Sequence, residues 1–475
     1  MFIDGEWTTS HTGRRFSVRN PATLEVLAEV EDGDREDARA AIQAAHAAFP
    51  AWAVTPAEQR GRLLYRAAEI VRSRQEELAI ILTKENGKPL PESRGEVAAA
   101  AAFLQWNAEE ARRVYGRVIP SAAPDRRVLT FRQPVGVVAA ITPWNFPASM
   151  ITRKLGPVLA AGCTAVLRPA RATPLIAMEL VRALAEAGIP RGVVNLVTGT
   201  DSAGIGEEFA TNPLVRKLTF TGSTEVGKQL LAMASGTVKR VSLELGGHAP
   251  FLVFEDADLD QAVQATSLSR FRNSGQTCIC TNRVYVQRSV AAAFSERLAE
   301  RVAKLKVGNG LEVGVEVGPL IDERALRKAS QHVEDAVAKG ARVLTGGSTL
   351  RLGEPLTGFF FQPTVLAEAR PEMRVMYEET FGPVLPIATF DSEDEAIAQA
   401  NNTPYGLAAY FFTRDLARMF RVAERLDYGI VGVNDPVPVG AHIPFGGVKE
   451  SGLGRENGAE GIEAFLEVKA VSIGI

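Results

Sequence analysis

Apolar positions recur every three to four residues from about residue 34 to residue 115, the spacing of helices that bury one face. Asp34 caps a helix predicted through Ala53, with Ala38, Ile42, Ala45 and Phe49 on one side. Pro56 opens a second, carrying Leu63, Leu64, Ala67, Ile70 and Val71; helical spacing resumes over about 73–86, and a third helix runs from Pro91 to about Tyr115. Ahead of them, residues 1–30 read as short strands and turns. This helical front carries little recognisable chemistry. From Gly116 to Pro134 the pattern turns β-rich and predicts a two-stranded arm. Strand segments then appear at 135–141, 164–167, 193–197 and 217–220, the first a continuous apolar run as a strand buried on both faces requires, with helical patterns at about 149–162, 174–188 and 202–211 between them. Such alternation predicts a parallel sheet with right-handed crossovers. A second α/β series starts at 251–254, includes a helix at 290–306 and a strand at 342–344, and continues to about 433. The C-terminal 464–473 alternates like an exposed strand and needs a pairing partner, another subunit being one source.

Composition removes several classes of function. A net charge of -3 offers no basic footprint for nucleic acid. No apolar run reaches the roughly 18 residues of a membrane span, and the N-terminus lacks a secretory pattern. Three cysteines in 475 residues exclude a disulfide framework and point to a reducing cytoplasm. The five histidines, at 11, 46, 248, 332 and 442, form no metal-ligand spacing, so no catalytic metal is expected.

The candidate chemistry clusters at strand ends. Cys278 and Cys280 stand one residue apart in Asn273-Ser274-Gly275-Gln276-Thr277-Cys278-Ile279-Cys280. They are either a thiolate nucleophile with a second thiol able to modify it, or two small buried hydrophobes. Cys163 lies in an apolar run and reads as structural. Asn145, in Thr142-Pro143-Trp144-Asn145-Phe146-Pro147, follows the first buried strand, where open α/β sheets bind ligands. Its amide either donates to a developing oxyanion or satisfies its own turn. Arg168 and Arg171 end the next strand as a phosphate or carboxylate clamp, or as a solvated loop. Gly222-Ser223 starts a helix, a ready anion site. Glu244, between leucines, is a general base if burial raises its pKa, or a structural carboxylate.

Together these segments carry a resemblance. PWN, FTGSTEVG, ELGG, GQTC, EETFGPV and PFGGVKESGLGRE stand in the order found in the aldehyde dehydrogenase superfamily, and the chain resembles it over about 2–473. FRNSGQTCICTNR and PFGGVKESGLGRE look most like the succinate-semialdehyde dehydrogenase branch. The resemblance implies an α/β fold with three parts. These are a Rossmann-like NAD(P)-binding domain (1–115 and 135–246), an α/β catalytic domain (247–440) and a small β oligomerisation arm (116–134 and 456–475). It implies that Cys278 attacks an aldehyde as thiolate, that Asn145 and the Cys278 N–H hold the oxyanion, and that Glu244 activates water to hydrolyse the thioester. Cofactor contacts fall on Trp144, Asn145, Arg168, Pro169, Ala170, Arg171, Gly222, Ser223, Leu245, Glu379 and Phe381.

Departures from the family pattern shape the expectations. The family usually has Lys at the place of Arg168, and its NAD-preferring members often have Glu at that of Arg171. Arg171 suits a 2′-phosphate, so NADP is expected ahead of NAD. Arg153 and Arg272 match the arginines that hold the distal carboxylate in the succinate-semialdehyde branch, or else make structural ion pairs. That branch's serine shortly before PFGG is absent from 434–443, which leaves glutarate semialdehyde or a less polar aldehyde open, with His442 as a substitute donor. Cys280 is implied as a redox partner of Cys278, and homodimers or homotetramers are implied by the arm and the C-terminal strand. A broad-specificity aliphatic or aromatic aldehyde dehydrogenase is the alternative. A non-enzymatic member is disfavoured by intact Asn145, Glu244 and Cys278, and a coenzyme-A-dependent one by Glu244.

Overall fold

The computed structural model describes residues 1–475, and its strands assemble into sheets of eight, seven, three and two. The eight-stranded sheet runs, in spatial order, Gly452–Leu453, Arg240–Glu244, Val215–Thr221, Val137–Ile141, Thr164–Arg168, Val194–Leu196, Phe2–Ile3 and Glu6–Trp7. Its five central strands are parallel. Every residue of Val137–Ile141 and Thr164–Arg168 is buried, which is why the first reads as a continuous apolar run. Val137–Ile141 has its successor on one side and Val215–Thr221 on the other, so strand order reverses there. Parallel sheets open a crevice at such a switch point, beyond the carboxyl ends of the strands.

Helices Ala57–Ser73, Gln75–Asn86 and Leu90–Glu110 pack against Pro147–Ala161 and Pro174–Glu186 on this sheet. The helix expected to reach Tyr115 ends at Glu110 and tightens into a 3₁₀ turn, Ala111–Arg113. At Arg35–Ala53, Asp34 accepts from the Glu36 N–H and Asp37 reaches back to the Asp34 N–H, a capping box. His11, which has no ligand spacing along the chain, lies 3.6 Å from Asp34 and 3.3 Å from Asp37 in space. Both carboxylates already serve the helix cap, and Ser10 Oγ donates to Asp37 at 2.8 Å.

The seven-stranded sheet runs Arg342–Thr345, Thr364–Ala367, Val384–Phe390, Thr281–Gln287, Ala249–Val253, Ala408–Phe412 and Ile430–Val433, parallel except at its first pair. Thr281–Gln287 begins directly after Cys280, and Ala249–Val253 begins five residues after Glu244 closes its strand in the other sheet. The chemistry-bearing loops therefore lie between the carboxyl end of one sheet and the amino end of the other. The C-terminal strand, Leu466–Gly474, finds a partner within its own chain. It pairs antiparallel along the whole of Arg126–Pro134, which also pairs Arg117–Ile119, so the expected two-stranded arm has three strands. No helix is long and apolar enough to cross a membrane.

Candidate active site

Cys278 follows a turn with an unusual backbone. Asn273, Ser274 and Gly275 take φ of 49°, 57° and 75° in succession, a left-handed run that only glycine enters without steric cost. Side-chain hydrogen bonds over-determine it. Asn273 Nδ2 donates to the Asn145 carbonyl (2.9 Å), Ser274 Oγ to the Gly318 carbonyl (2.8 Å) and Gln276 Nε2 to the Asn273 carbonyl (3.1 Å). Glu92 accepts the Asn273 N–H at 2.9 Å. At Gly275 space excludes a side chain as well, since a Cβ there would stand 2.4 Å from the Gly382 carbonyl oxygen. Arg270, wholly buried, ties the far side together by donating to Cys280 Sγ (3.1 Å), the Thr281 carbonyl (3.0 Å), Asn282 Oδ1 (2.8 Å) and the Gly382 carbonyl.

The helical front, expected to carry little chemistry, supplies the scaffold for Asn145. Lys88, fully buried, donates to the Asn145 carbonyl (2.6 Å) and to Glu96 (2.5 Å). Glu96 also accepts the N–H groups of Ala148 (2.9 Å) and Ser149 (3.2 Å) at the start of the helix Pro147–Ala161, and Asn86 donates to the Trp144 carbonyl (2.9 Å). The sequence signals for these groups are faint: a lysine between Gly87 and Pro89, and glutamates at 92 and 96 on a helix otherwise rich in alanine. With its carbonyl held, Asn145 places Nδ2 on the Gln276 carbonyl at 3.0 Å. One Nδ2 hydrogen is engaged there and the second is free. The Cys278 N–H also has no partner. The Cys278 N–H and the Asn145 amide, docked on the carbonyl of Gln276 two residues before Cys278, are thus two donors at the nucleophile loop, the kind of groups an oxyanion site uses.

Glu244 ends its strand fully enclosed, with Oε2 lacking any hydrogen-bond partner. Burial, and then the neighbouring charge of Glu456, raise its pKa well above the usual carboxylate range. Glu456 loses hydration too, but Lys154 (2.7 Å) and Arg153 (3.1 Å) hold it below that range. Cys278 is half-buried at its surface. Loss of hydration pushes its thiol up to about 12, with Glu379 and Glu244 adding and Arg153 opposing.

Two cavities meet at Cys278. One, of about 260 Å³, is lined by Trp144, Asn145, Gly222, Ser223, Leu245, Lys328, Glu379 and Phe381, and so gathers most of the expected cofactor residues. Trp144 meets Phe381 edge-on, with centroids 5.6 Å apart. Ser223 caps the helix Thr224–Ala234, giving an N-terminus for an anion, and Glu379 accepts the Gly247 N–H at 3.1 Å. A Cβ at Gly246 would lie 3.1 Å from Glu379 Oε2, so bare backbone shapes this wall. Aromatic walls, a helix N-terminus and a carboxylate fit a nicotinamide dinucleotide. Arg168, Pro169, Ala170 and Arg171 lie outside this cavity, at the end of the strand Thr164–Arg168 and just beyond it. The two arginines do not form one clamp. Arg168 is buried and donates to Ser202 Oγ (2.5 Å) and the Gly199 carbonyl (3.3 Å), whereas Arg171 is exposed and unpaired.

The second cavity, of about 200 Å³, is largely apolar and carries Arg153 and Arg272. Arg153 is committed to Glu456 and stacks on Phe445 at 3.9 Å. Arg272 lies over Phe146 at 4.8 Å and makes no ion pair, so its charge is available to a ligand. Cys280 is buried against Arg270 and the Gly275 carbonyl (3.4 Å). Cys163 is buried with its thiol on the Phe465 carbonyl, remote from both cavities as its apolar setting suggested. His442 does not line the second cavity; its ring faces Trp106 at 6.2 Å.

Residues 7–471 match the profile of the aldehyde dehydrogenase family. The chain is 52% identical to a glutarate-semialdehyde dehydrogenase of Pseudomonas putida, covering 100% of this chain and 97% of that protein. It is 51% identical to an NADP(+) succinate-semialdehyde dehydrogenase of Escherichia coli, over 100% and 97%. The crystal structure of succinate-semialdehyde dehydrogenase from Burkholderia pseudomallei superposes with a TM-score of 0.98 at 48% identity, covering 100% of this chain and 97% of that one.

Proposed function

The chain belongs to the aldehyde dehydrogenase family, and from that premise we propose that it oxidises a short aldehyde with a terminal carboxylate, succinate or glutarate semialdehyde, using NADP ahead of NAD. One observation carries the reading: Cys278 is shared by two cavities, one fitted to a dinucleotide and one holding an unpaired Arg272 in an apolar wall. A guanidinium in such a setting favours a substrate whose far end is anionic. The exposed, unpaired Arg171 supports the NADP preference, because it suits a 2′-phosphate and cannot accept from ribose hydroxyls.

Trp144, Phe381, Glu379 and Ser223 would hold the oxidised nicotinamide cofactor, which would supply the hydride acceptor. Cys278 Sγ, as thiolate, bonds to the carbonyl carbon, and the carbonyl π pair becomes an alkoxide received by the Cys278 N–H and the free Nδ2 hydrogen of Asn145. Collapse of the alkoxide expels the aldehyde hydrogen with its electron pair and leaves a thioester on Sγ. Glu244 then takes a proton from water as the water oxygen bonds to the acyl carbon. Sγ departs as thiolate, and the product is a carboxylic acid. Arg272 orients the distal carboxylate, while Arg153 contributes through its pairing with Glu456.

The eight-stranded sheet with its helices serves as the NAD(P)-binding domain and the seven-stranded sheet as the catalytic domain. The three-stranded arm is the oligomerisation element of a cytoplasmic homodimer or homotetramer. Cys280 is the redox partner of Cys278. Peroxide takes two electrons from the thiol pair to give a disulfide and two waters, and dithiothreitol restores activity in the parent but not in Cys280→Ser. An aldehyde panel followed at 340 nm with both cofactors, with Cys278→Ala as the inactive control, tests the main reading. Succinate or glutarate semialdehyde with NADP is expected to give the highest kcat/KM. An uncharged aldehyde of equal length turned over as efficiently would overturn the carboxylate subsite.

A further inference from the structure

The helix Glu323–Ala338 sends two side chains toward the coenzyme cavity, one turn apart. Lys328 lines the cavity itself. His332 stops behind it, with no exposed surface and both ring nitrogens engaged by the segment Glu378-Glu379-Thr380-Phe381. Nε2 lies 3.2 Å from Glu378 Oε2 and Nδ1 lies 3.0 Å from Thr380 Oγ1. Burial pushes this imidazole down to about 4, so it is neutral and has one donor and one acceptor. Glu378 as carboxylate only accepts, which places the proton on Nε2. Nδ1 therefore accepts from the Thr380 hydroxyl. The same Glu378 is held from its other side by Arg374, with Nε to Oε1 at 3.0 Å and Nη2 to Oε2 at 2.9 Å.

Side chains in this segment alternate. Glu378 and Thr380 turn to His332, while Glu379 and Phe381 turn into the cavity, Glu379 accepting the Gly247 N–H and Phe381 meeting Trp144. Phe381 adopts φ of 54°, a left-handed conformation that a bulky residue keeps only where its neighbours enforce it. Thr380, directly before it, is anchored through His332. We infer that His332 is a positioning residue for the coenzyme: it grips the back of the segment and so presents Glu379 and Phe381 to the nicotinamide half of the cofactor. This inference rests on the dinucleotide reading of the cavity.

The test compares His332→Phe, which fills the space and makes neither bond, with His332→Gln, whose amide still donates to Glu378, and with Glu379→Gln. NADPH dissociation is read from tryptophan fluorescence, alongside KM for NADP and for succinate semialdehyde. Loss of two hydrogen bonds in His332→Phe, one of them to the Glu378 carboxylate, is expected to raise the NADPH dissociation constant and the NADP KM on the order of tenfold. The aldehyde KM should stay within about twofold, and His332→Gln should recover most of the loss. If NADPH affinity holds in His332→Phe but falls in Glu379→Gln, the positioning role is wrong. If Glu379→Gln also leaves it unchanged, the dinucleotide reading of the segment fails. Equal rises in both KM values would assign His332 to general structure. Should His332→Phe not fold, Thr380→Val removes the hydroxyl bonded to Nδ1, and unchanged NADPH affinity there overturns the inference.

Discussion

Glu244 and Cys278 are both held in their neutral forms by the same cause. Each loses hydration in a site with few compensating donors, and each feels neighbouring carboxylates, Glu456 for the first and Glu379 for the second. Both pKa values lie above the ordinary ones, so the reactive forms, carboxylate and thiolate, gain population only as pH rises. The kcat/KM for the aldehyde is therefore expected to climb steadily from about pH 7 to about pH 9, measured as initial rates at 340 nm. A flat profile would mean that cofactor or substrate has already lowered both values. The two residues separate in time. Glu244→Gln keeps the thiol, Asn145 and the coenzyme cavity but has no base for hydrolysis. It is expected to show a rapid burst of about one reduced cofactor per subunit, then turnover at least about 100-fold slower than the parent. A uniformly slow reaction without a burst would place Glu244 before acylation. Sequence alone showed Glu244 between leucines; its missing hydrogen bonds and the proximity of Glu456, more than two hundred residues away, belong to the folded chain.

At the level of elements, one ion pair fixes two helices and a catalytic loop. Glu96, from Leu90–Glu110, takes the first N–H groups of Pro147–Ala161, and Lys88 joins it to the Asn145 carbonyl. Removing the lysine leaves a carboxylate buried beside two N–H donors but without its cation. Lys88→Met is expected to lower unfolding stability in urea by about 3 kcal/mol, the usual cost of breaking a buried pair. It should also lower kcat about tenfold as Asn145 loses its anchor, with little change in the aldehyde KM. Full activity with reduced stability would show that Asn273, through its own bond to the Asn145 carbonyl, suffices. The helices and strands were legible from periodicity, because a buried face imposes its spacing on the local sequence. The contribution of the helical front was not, because Lys88 and Asn145 are 57 residues apart and neither sits in a pattern that names the other.

The whole molecule leaves its arm unfinished. Leu466–Gly474 and Arg117–Ile119 form the two open edges of the three-stranded sheet. Val118, Phe131 and Val468 are about half exposed or more on it, at 77%, 49% and 53%. Open edges beside apolar side chains are ordinarily covered in a stable protein. On the proposal that this arm joins subunits, replacing Val118 and Val468 by lysine, at positions with little to lose in the monomer, is expected to shift the mass seen by light scattering toward the single chain of 51.0 kDa. An unchanged assembly would put the subunit contact elsewhere. The intrachain pairing of Leu466–Gly474 was not foreseeable from alternation, which reports an exposed face but not the identity of the neighbouring strand.

The sequence by itself determined the order of buried strands and helices, the two α/β series, the family resemblance and the loops that hold Cys278, Asn145 and Glu244. Local spacing encodes which side of an element is buried, and short motifs encode turns that must approach a ligand. Only the tertiary structure decided which charges meet. It committed Arg153 to Glu456 and left Arg272 unpaired, split Arg168 from Arg171, turned Cys280 toward Arg270, and set His332 behind the Glu379 loop. Electrostatic partners and hydration depend on distance in space, and residues far apart in the chain carry no local mark of the neighbour that folding brings to them.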